Sequence, residues 1–309
     1  MPELPEVQTT VNGLNKKVKG LKITDVWTDY GGSYHIGKDD IKDENFFKKF
    51  KKKVIGKKIL NATRRAKNVL IHLSENQTIL VHMKMTGHLM YGKYTFDKKV
   101  GKKGAWSAND EGPLKDPFNK FLHFVITLSN KKQLVLSDTR KFAKVTLIET
   151  TDLNHSPHLK DIGPEIMTKD FNYSNFKDRL LKKPTGRIKN VLMDQSIIAG
   201  VGNIYSDEAL WRSGIHPEEK IKNIPEAKLK LLFVETKKVL EKGIDFGGDS
   251  MSDYRNIDGE RGEFQNHHMV YRRKGESCKK PGCKGKIIRK IVGGRSAHFC
   301  NTHQKLLVD

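Results

Sequence analysis

The spacing of hydrophobic residues changes twice along the chain. Over residues 5–18, apolar side chains recur at the three- and four-residue intervals of a helix face: Val7, Val11, Leu14 and Val18. From residue 21 to about residue 149 the pattern becomes a series of short β-rich runs: 21–28, 67–73, 77–85, 121–128, 132–138 and 142–149. Turn signals such as Gly31-Gly32 separate these runs, which predicts an antiparallel β-sandwich or barrel with one flanking helix.

Helical spacing returns in the second half, over residues 175–182, 187–194, 203–214 and 225–243. With a polar linker at 150–157, the sequence predicts an α+β protein in three parts: an N-terminal antiparallel β-sandwich domain (1–150), a C-terminal helical domain (151–264) and a small module (265–309). Two long segments fit neither pattern. Residues 91–119 are predicted to be an exposed loop. Residues 247–264, rich in Gly, Asp and Ser, are too long for a simple connector and form a candidate functional loop.

Composition restricts the class of protein. Of 309 residues, 58 are Lys or Arg and 36 are Asp or Glu, which gives a formal net charge of +22. No stretch approaches the roughly 18 apolar residues of a membrane helix. The first residues lack a secretory pattern, and three cysteines are too few for a disulfide scaffold. We therefore expect a cytoplasmic protein. The charge favours a polyanionic partner, although many unrelated enzymes of lysine-rich proteomes are equally basic.

All three cysteines lie in a C-terminal cluster with the spacing C-x4-C-x16-C-x2-H: Cys278, Cys283, Cys300 and His303. Three thiolates and one imidazole suit a single structural Zn²⁺ ion. Between the two pairs, Gly293-Gly294 is a hairpin signal flanked by β-formers, as a zinc β-hairpin finger requires. The alternative is a group of reduced structural cysteines with a surface histidine.

Residues 195–217 predict two helices joined by a glycine-bearing turn. Asn203 is placed to cap the second helix, with Asp207 and Glu208 in its first turns. Glycines at 200 and 202 allow another backbone to approach, and helix N-terminal amides can seat a phosphate. From spacing alone, an ordinary helical hairpin is the interpretation to prefer.

The N-terminus contains an unusual combination. If Met1 is removed, Pro2 presents a secondary amine that can attack the anomeric carbon of a sugar. The resulting iminium keeps its positive charge without a proton, which suits elimination from the sugar. Glu3 and Glu6 lie beside it and could move protons. The alternative is that these glutamates are simply favourable charges at a helix N-terminus.

Taken together, these residues resemble the formamidopyrimidine-DNA glycosylase/endonuclease VIII family of base-excision repair enzymes. The opening MPELPEV is similar to the family's N-terminus, VHMKMTG (81–87) to its His-x-x-Met-(Ser/Thr)-Gly loop, and SDTRKFA (137–143) to its Asp-x-Arg-(Arg/Lys)-Phe-Gly segment. Residues 192–217 resemble the helix–two-turn–helix motif, and GGRSAHFC (293–300) resembles the finger. The similarities follow family order along essentially the whole chain.

The resemblance implies a bifunctional DNA glycosylase and AP lyase that acts on damaged double-stranded DNA as a monomer. Pro2 would be the nucleophile, Glu3 the acid/base, Glu6 a lesion-positioning residue and Lys67 the active-site lysine. DNA contacts would come from seven further residues: His82, Met85, Arg140, Phe142, Asn203, Tyr271 and Arg295. Of these, the apolar Met85 and Phe142 with Arg140 would fill the gap left by an extruded base. Arg64 and Arg65 are further candidates near the lesion.

The N-terminal LPEV and the loop 247–264 resemble the branch that removes oxidised purines such as 8-oxoguanine and formamidopyrimidines. The alternatives are an endonuclease VIII-like enzyme for oxidised pyrimidines, a catalytically idle DNA-binding relative and a generic basic zinc-ribbon protein. Three features depart from the family pattern: the finger spacing with His303, Ala143 in place of glycine, and the long segment 91–119. Lysines at 48–53 and 97–103 have no assigned contact beyond their charge.

Overall fold

The computed structural model describes residues 1–100, 103–109 and 111–307. These residues form two compact units: Met1–Lys160 with Phe246–Glu263, and Asp161–Asp245 with Phe264–Asp309. The segment 246–263, which the sequence places in the helical domain, groups with unit 1 because its contacts are made there. Lys102, one of the lysines of 97–103, lies outside the described residues.

Unit 1 is a sandwich of two four-stranded antiparallel sheets with two helices. Its helices are α1 (Leu4–Lys17) and α2 (Glu44–Val54). Its strands are β1 (Ile23–Thr28), β2 (Ile59–Arg65), β3 (Asn68–Leu73), β4 (Gln77–His82), β5 (His88–Gly92), β6 (Tyr94–Asp97), β7 (Ala105–Ala108), β8 (Leu122–Leu128), β9 (Gln133–Ser137) and β10 (Lys144–Glu149). The sheet orders are β1-β8-β9-β5 and β10-β4-β3-β2, while β6 and β7 form a separate ribbon.

One hydrophobic core joins both sheets and α1, as the sequence pattern predicts. The helix contributes Val7, Val11 and Leu14, and the residue that caps its C-terminus, Val18, is buried with them. Alternate residues along the paired strands supply the rest, because successive side chains of a strand point to opposite faces. The six predicted strands and the flanking helix are confirmed, with ends that differ by a few residues.

Helix α2 shows that the lysine run at 48–53 is more than a charged surface. Asp43 caps its N-terminus by accepting the backbone N–H of Phe46 at 2.6 Å. Phe50 and Val54 are buried in the core, and Phe47 packs against it. A signal was present, since these three residues have helical spacing, but the intervening lysines obscured it.

The prediction of an exposed loop over residues 91–119 is wrong for residues 94–97 and 105–108; Gly101, Lys102 and Asp110 lie outside the described residues. Strands β6 and β7 pair across this segment, with Phe96 opposite Trp106. Both rings pack against Trp27 of β1, with centroids 5.8 and 6.4 Å from it. The polar composition of the segment concealed the ribbon, because its few aromatic residues pack against a strand that is distant in the sequence.

Unit 2 contains the predicted helices and the finger hairpin. The helices are α3 (Tyr173–Leu181), α4 (Ile188–Met193), α5 (Asn203–Ser213) and α6 (Glu226–Asp245), and the hairpin strands are β11 (Ile287–Val292) and β12 (Arg295–Cys300). Helix α5 packs against both α4 and α6, and it also contacts β12. In the described residues, no helix is both long and apolar enough to cross a membrane.

Candidate active site and nucleic-acid interface

The start of α1 joins two candidate catalytic side chains. Glu3 precedes the helix in an extended conformation, and its side chain accepts the backbone N–H of Glu6. In return, Glu6 Oε2 accepts the backbone N–H of Glu3 at 2.7 Å. This reciprocal capping box satisfies two helix-terminal donors. Both residues are 2% exposed, and Pro2 directly before them is buried.

The other oxygen of Glu6 holds the beginning of the loop 247–264. Glu6 Oε1 accepts the backbone N–H of Asp249 at 2.7 Å, and Tyr254 Oη donates to the Glu6 carbonyl at 3.0 Å. Gly248 adopts φ +87°, and a Cβ there would approach Glu6 and Tyr254 to 2.9–3.1 Å. Glycine is therefore required for both the left-handed backbone and the close approach. The candidate loop and the helix start form one hydrogen-bonded assembly.

Helix α1 lies along β2 and directs its N-terminus toward the β2–β3 turn. Near the helix end, Asn15 exchanges two hydrogen bonds with Ala62 at 2.9 and 2.8 Å. Near its start, Arg64 Nε donates to Gln8 at 3.0 Å. The helix and the strand therefore run in opposite directions. The turn that follows β2 and contains Lys67 lies at the same end as Glu3, at the start of the helix.

Lys67 lies in a two-residue turn in which Ala66 adopts φ +53°. It is only 6% exposed although it is a lysine. Its charge also reaches His82 on the neighbouring strand β4. Burial is the main reason that the pKa of His82 falls to about 3, and the positive charges of Lys84 and Lys67 lower this pKa further. His82 Nδ1 accepts the backbone N–H of Lys84 at 3.0 Å. At neutral pH the imidazole is therefore uncharged.

A single buried carboxylate, that of Asp138, organises the two loops that carry the predicted wedge residues. The Thr86 hydroxyl donates to Asp138 Oδ1, and the backbone N–H of Ala143 donates to Oδ2 at 2.7 Å. Thr86 directly follows Met85, and Ala143 directly follows Phe142. Asp138 therefore fixes the position of one loop relative to the other.

The wedge side chains themselves reach solvent. Met85 is 42% exposed and Phe142 is 48% exposed. The Arg140 guanidinium stacks over the Phe142 ring, with its central carbon 4.4 Å from the ring centroid. Ala143 packs into the core, and its backbone is outside the left-handed region. The departure from the family glycine therefore introduces no backbone strain here.

In unit 2, the helix α5 carries two neighbouring buried carboxylates, Asp207 and Glu208. The sequence predicted that both are charges at the helix N-terminus. Asp207 pairs with Lys189 of α4, and both side chains are fully buried. Its second oxygen accepts the backbone N–H of His298 at 2.9 Å and lies 3.0 Å from that histidine's Nδ1. One carboxylate thus joins α4, α5 and the finger hairpin.

Glu208, the second buried carboxylate, holds the segment around Tyr271. Its Oε1 accepts three consecutive backbone N–H groups at 3.0 Å, those of Met269, Val270 and Tyr271. The Tyr271 ring then packs edge-to-face on His298 at 5.0 Å. No local pattern predicts the hydrogen bonds of Glu208, because their donors are 61–63 residues away in the sequence.

Asn203 does not cap α5, contrary to the prediction. It is the first residue of the helix, and Gly202, which has no side chain to offer, occupies the cap position. Asn203 Oδ1 is buried and has no hydrogen-bond partner within the part of the chain that the structure describes.

The finger tip presents the third predicted phosphate-binding residue of unit 2, Arg295. Val292 pairs with Arg295 across Gly293 and Gly294, which adopt φ +54° and +76°. Positive φ at both positions is the requirement of a tight type I′ turn. A Cβ at Gly293 would lie 1.8 Å from the Asn190 side chain. The tip therefore rests on α4, with Arg295 exposed beside it.

The four predicted metal ligands converge, with all ligand atoms within 4.8 Å of one another. Cys283 Sγ lies 3.6 Å from Cys300 Sγ, and His303 Nδ1 lies 3.5 Å from Cys278 Sγ and 3.8 Å from Cys283 Sγ. A tetrahedral site with Zn–S bonds of about 2.3 Å has S–S edges of about 3.8 Å. The cluster fits a structural zinc ion despite the two extra residues in the first pair.

The environment of the cluster also suits thiolates. Backbone N–H groups of Lys280, Gly285 and Thr302 each approach one sulfur at 3.4–3.5 Å, and Trp211 Nε1 donates to Cys278 at 3.3 Å. His303 Nε2 lies 3.1 Å from the Trp211 carbonyl, which leaves Nδ1 to face the metal. These contacts attach the finger base to the end of α5.

The family model described as the formamidopyrimidine-DNA glycosylase N-terminal domain matches residues 1–145, and the one described as its H2TH domain matches residues 162–255. The chain belongs to the formamidopyrimidine-DNA glycosylase family. The formamidopyrimidine-DNA glycosylase of Pelotomaculum thermopropionicum is 35% identical over 306 residues, covering 99% of this chain and 100% of that protein. The Bacillus subtilis protein of the same name is 35% identical, covering 97% and 98%.

Solved structures show the same family fold. A Lactococcus lactis Fpg mutant in complex with Fapy-dG-containing DNA is 31% identical and matches with a TM-score of 0.81, covering 98% of this chain and 100% of that chain. MutM in complex with DNA that contains carbocyclic 8-oxo-G is also 31% identical and matches with a TM-score of 0.80, covering 98% and 100%. The resemblance predicted from the motifs is confirmed.

Proposed function

We propose that this protein removes oxidised purines, 8-oxoguanine and formamidopyrimidines, from damaged duplex DNA and then cleaves the strand as an AP lyase. The observation that carries the proposal is the buried start of α1, where Pro2 precedes the Glu3–Glu6 capping box on the side of the Lys67 turn. Family relatives bound to Fapy-dG and 8-oxo-G DNA support the same substrate class.

The proposed chemistry begins after removal of Met1, which frees the Pro2 amine. The amine nitrogen attacks C1′ of the lesion, the bond from C1′ to the base breaks, and the departing base takes a proton. The attacking nitrogen gives up its proton, the C1′–O4′ bond then breaks, and O4′ takes a proton, which opens the sugar ring. The ring-opened product is an iminium that withdraws electrons from the sugar, so that a C2′ proton is lost and the 3′ phosphate leaves. A second elimination releases the 5′ phosphate, and a one-nucleotide gap remains. Glu3 is proposed as the group that exchanges these protons.

The remaining predicted residues divide the task of holding DNA. Glu6 and the loop 247–264 would receive the extruded base, and Lys67 with His82 would lie near its phosphate. Met85, Arg140 and Phe142 would fill the gap in the stack, since the first and last are exposed apolar groups and Arg140 can hydrogen-bond the orphaned base. From unit 2, Asn203, Tyr271 and Arg295 would bind phosphates.

Borohydride trapping tests the proposal. Protein with a free Pro2 is mixed with duplex DNA that carries 8-oxoguanine, and borohydride reduces any iminium to a stable adduct at Pro2. We expect the adduct with this DNA and much less with undamaged duplex. Binding without an adduct would contradict the enzyme and favour an idle DNA-binding relative. A strong preference for oxidised pyrimidines would instead favour the endonuclease VIII-like alternative.

A further inference from the structure

The loop 247–264 has a tip at 251–253, of which Met251 and Ser252 are exposed and Asp253 is half-buried, and a buried base at 248–250. Arg255, two residues after the tip, is 1% exposed although it carries a charge. Its Nη1 donates to the carbonyl oxygens of Ser252 and Tyr254, both at 2.8 Å. The guanidinium is therefore behind the tip and restrains the tip backbone directly.

The counter-charge of Arg255 comes from Asp116, in the segment 111–119 for which the sequence suggested no role. Arg255 Nη2 donates to both carboxylate oxygens of Asp116 at 3.0 Å. Asp116 also accepts the backbone N–H of Phe118 at 2.9 Å, and the guanidinium lies over the Phe118 ring at 5.0 Å. A buried cation that loses its partner is strongly unfavourable, so the conformation of the tip depends on Asp116.

Asn119 provides a second connection between this segment and the loop. Its Nδ2 donates to the Gly259 carbonyl at 3.1 Å, and its Oδ1 lies 2.8 Å from Nε2 of His88. A Cβ at Gly259 would come within 3.0 Å of Asn119, so the two segments pack as closely as glycine permits. His88 Nδ1 lies 3.4 Å from the Thr86 carbonyl, next to Met85. The anchor of the loop is thus continuous with the wedge loop.

We propose that Asp116 and Arg255 form a positioning pair that holds the tip 251–253 over the extruded base, so that base excision depends on the pair while cleavage at a base-free site does not. The inference rests on the function proposed above, in which this loop receives the base. Neither residue is proposed to touch the reacting atoms; each acts by fixing the tip.

The two activities of the enzyme separate this role from a general effect on the fold. Excision of 8-oxoguanine needs a base held in a defined position, whereas elimination at a preformed abasic site needs Pro2 and Glu3 but has no base to cover. Misplacement of a positioning element by about 1 Å can reduce a rate by up to about a hundredfold. A tip that has lost its restraint should therefore slow excision selectively.

The experiment measures single-turnover rates of D116N and R255K on 8-oxoguanine duplex and on abasic-site duplex. We expect excision to fall by about tenfold or more and abasic-site cleavage to change by less than about twofold. Asp116→Glu, which retains the charge, should recover most of the excision rate. Glu75→Gln, which removes an exposed ion pair with Lys57, is the matched control and should change neither rate.

Each outcome has a distinct meaning. Equal losses on both DNA substrates would show that the pair only supports the fold, and unchanged excision in D116N and R255K would show that it does not restrain the tip; either result overturns the inference. If the wild-type protein were active on neither substrate, the proposed function itself would be contradicted. Melting temperatures of all variants distinguish unfolding from a selective loss of excision. D116N preserves the side-chain volume, so it tests the charge without changing the packing.

Discussion

The finger hairpin and the loop 247–264 both present a short exposed tip, but they are held in different ways. The finger is anchored mostly by residues close in sequence: β11 pairs with β12, and four ligands within 26 residues converge at its base. The loop is anchored by hydrogen bonds to residues distant in sequence, Glu6, Asp116 and Asn119. A metal-anchored tip should fail as a unit when its ligands are changed. A tip held by dispersed hydrogen bonds should lose position at one point while the fold survives.

The largest expected effect touches neither segment. One glycine added before Pro2 removes the free secondary amine, and strand cleavage should fall below detection while DNA binding persists. The comparison is between protein that ends in Gly-Pro2 and protein whose tag is removed to leave Pro2 first, in a cleavage assay with an electrophoretic binding assay alongside. Normal cleavage by the extended protein would mean that another group is the nucleophile.

Removal of a metal ligand should disrupt the finger as a whole. Cys300→Ser should release zinc and unfold the hairpin locally, because binding of structural zinc contributes about 10 kcal/mol or more to folding. Affinity for duplex DNA should then fall by about tenfold or more, as Arg295 loses its platform. Metal content by mass spectrometry and a binding titration measure both. His303→Cys is the matched variant and should keep the metal; if Cys300→Ser retained full zinc, the ligand assignment would fail.

Replacement of the Glu208 carboxylate should have a smaller, local effect. Glu208→Gln keeps the shape but leaves three backbone donors facing a weaker acceptor, so the free energy of unfolding should fall by about 3 kcal/mol. Urea denaturation measures this value, with Glu241→Gln on the exposed side of α6 as the control. The control should change by less than about 0.5 kcal/mol. Similar values for the two variants would argue against an anchoring role of Glu208.

The smallest effect concerns pH and the anchors of unit 1. Burial lowers the pKa of His88, and burial followed by neighbouring lysines lowers that of His82 to about 3. The unfolded chain protonates these histidines near pH 6.5, whereas the folded chain does not. The stabilising contribution of His82 is therefore present above its unfolded pKa of about 6.5 and falls as the pH drops below it, by about 1 kcal/mol at pH 5.5; that of His88 changes in the same direction.

Urea denaturation at pH 7.5 and pH 5.5 measures this dependence, and His88→Gln should reduce the difference. Equal stability of the wild-type protein at the two pH values would show that these histidines are accessible to protons in the folded state. The position of His88 beside Asn119 connects this test to the anchor of the loop.

Sequence reasoning succeeded where a pattern is local. The helix α1, the six strands and the Cys/His spacing each depend on residues near one another, and the structure confirms them. It was wrong for 91–119 and did not detect α2, because in both places lysines outnumber the few aromatic residues that pack. It also predicted that Asn203 caps α5, whereas Gly202 is the N-cap residue and Asn203 is the first residue of the helix.

By itself, the sequence determined the β-rich and helical halves, the ligands for one zinc ion, and a set of motifs specific enough to indicate the family. Only the tertiary structure decided which carboxylates act as anchors. In unit 1, Glu6 holds the loop 247–264 and Asp138 holds the two wedge loops. In unit 2, Asp207 holds the finger and Glu208 holds the segment around Tyr271. The same is true of Asp116 and Arg255, which are 139 residues apart. Spacing reports contacts within one turn or hairpin, whereas the partner of a buried charge is set by chain folding and leaves no periodic signal.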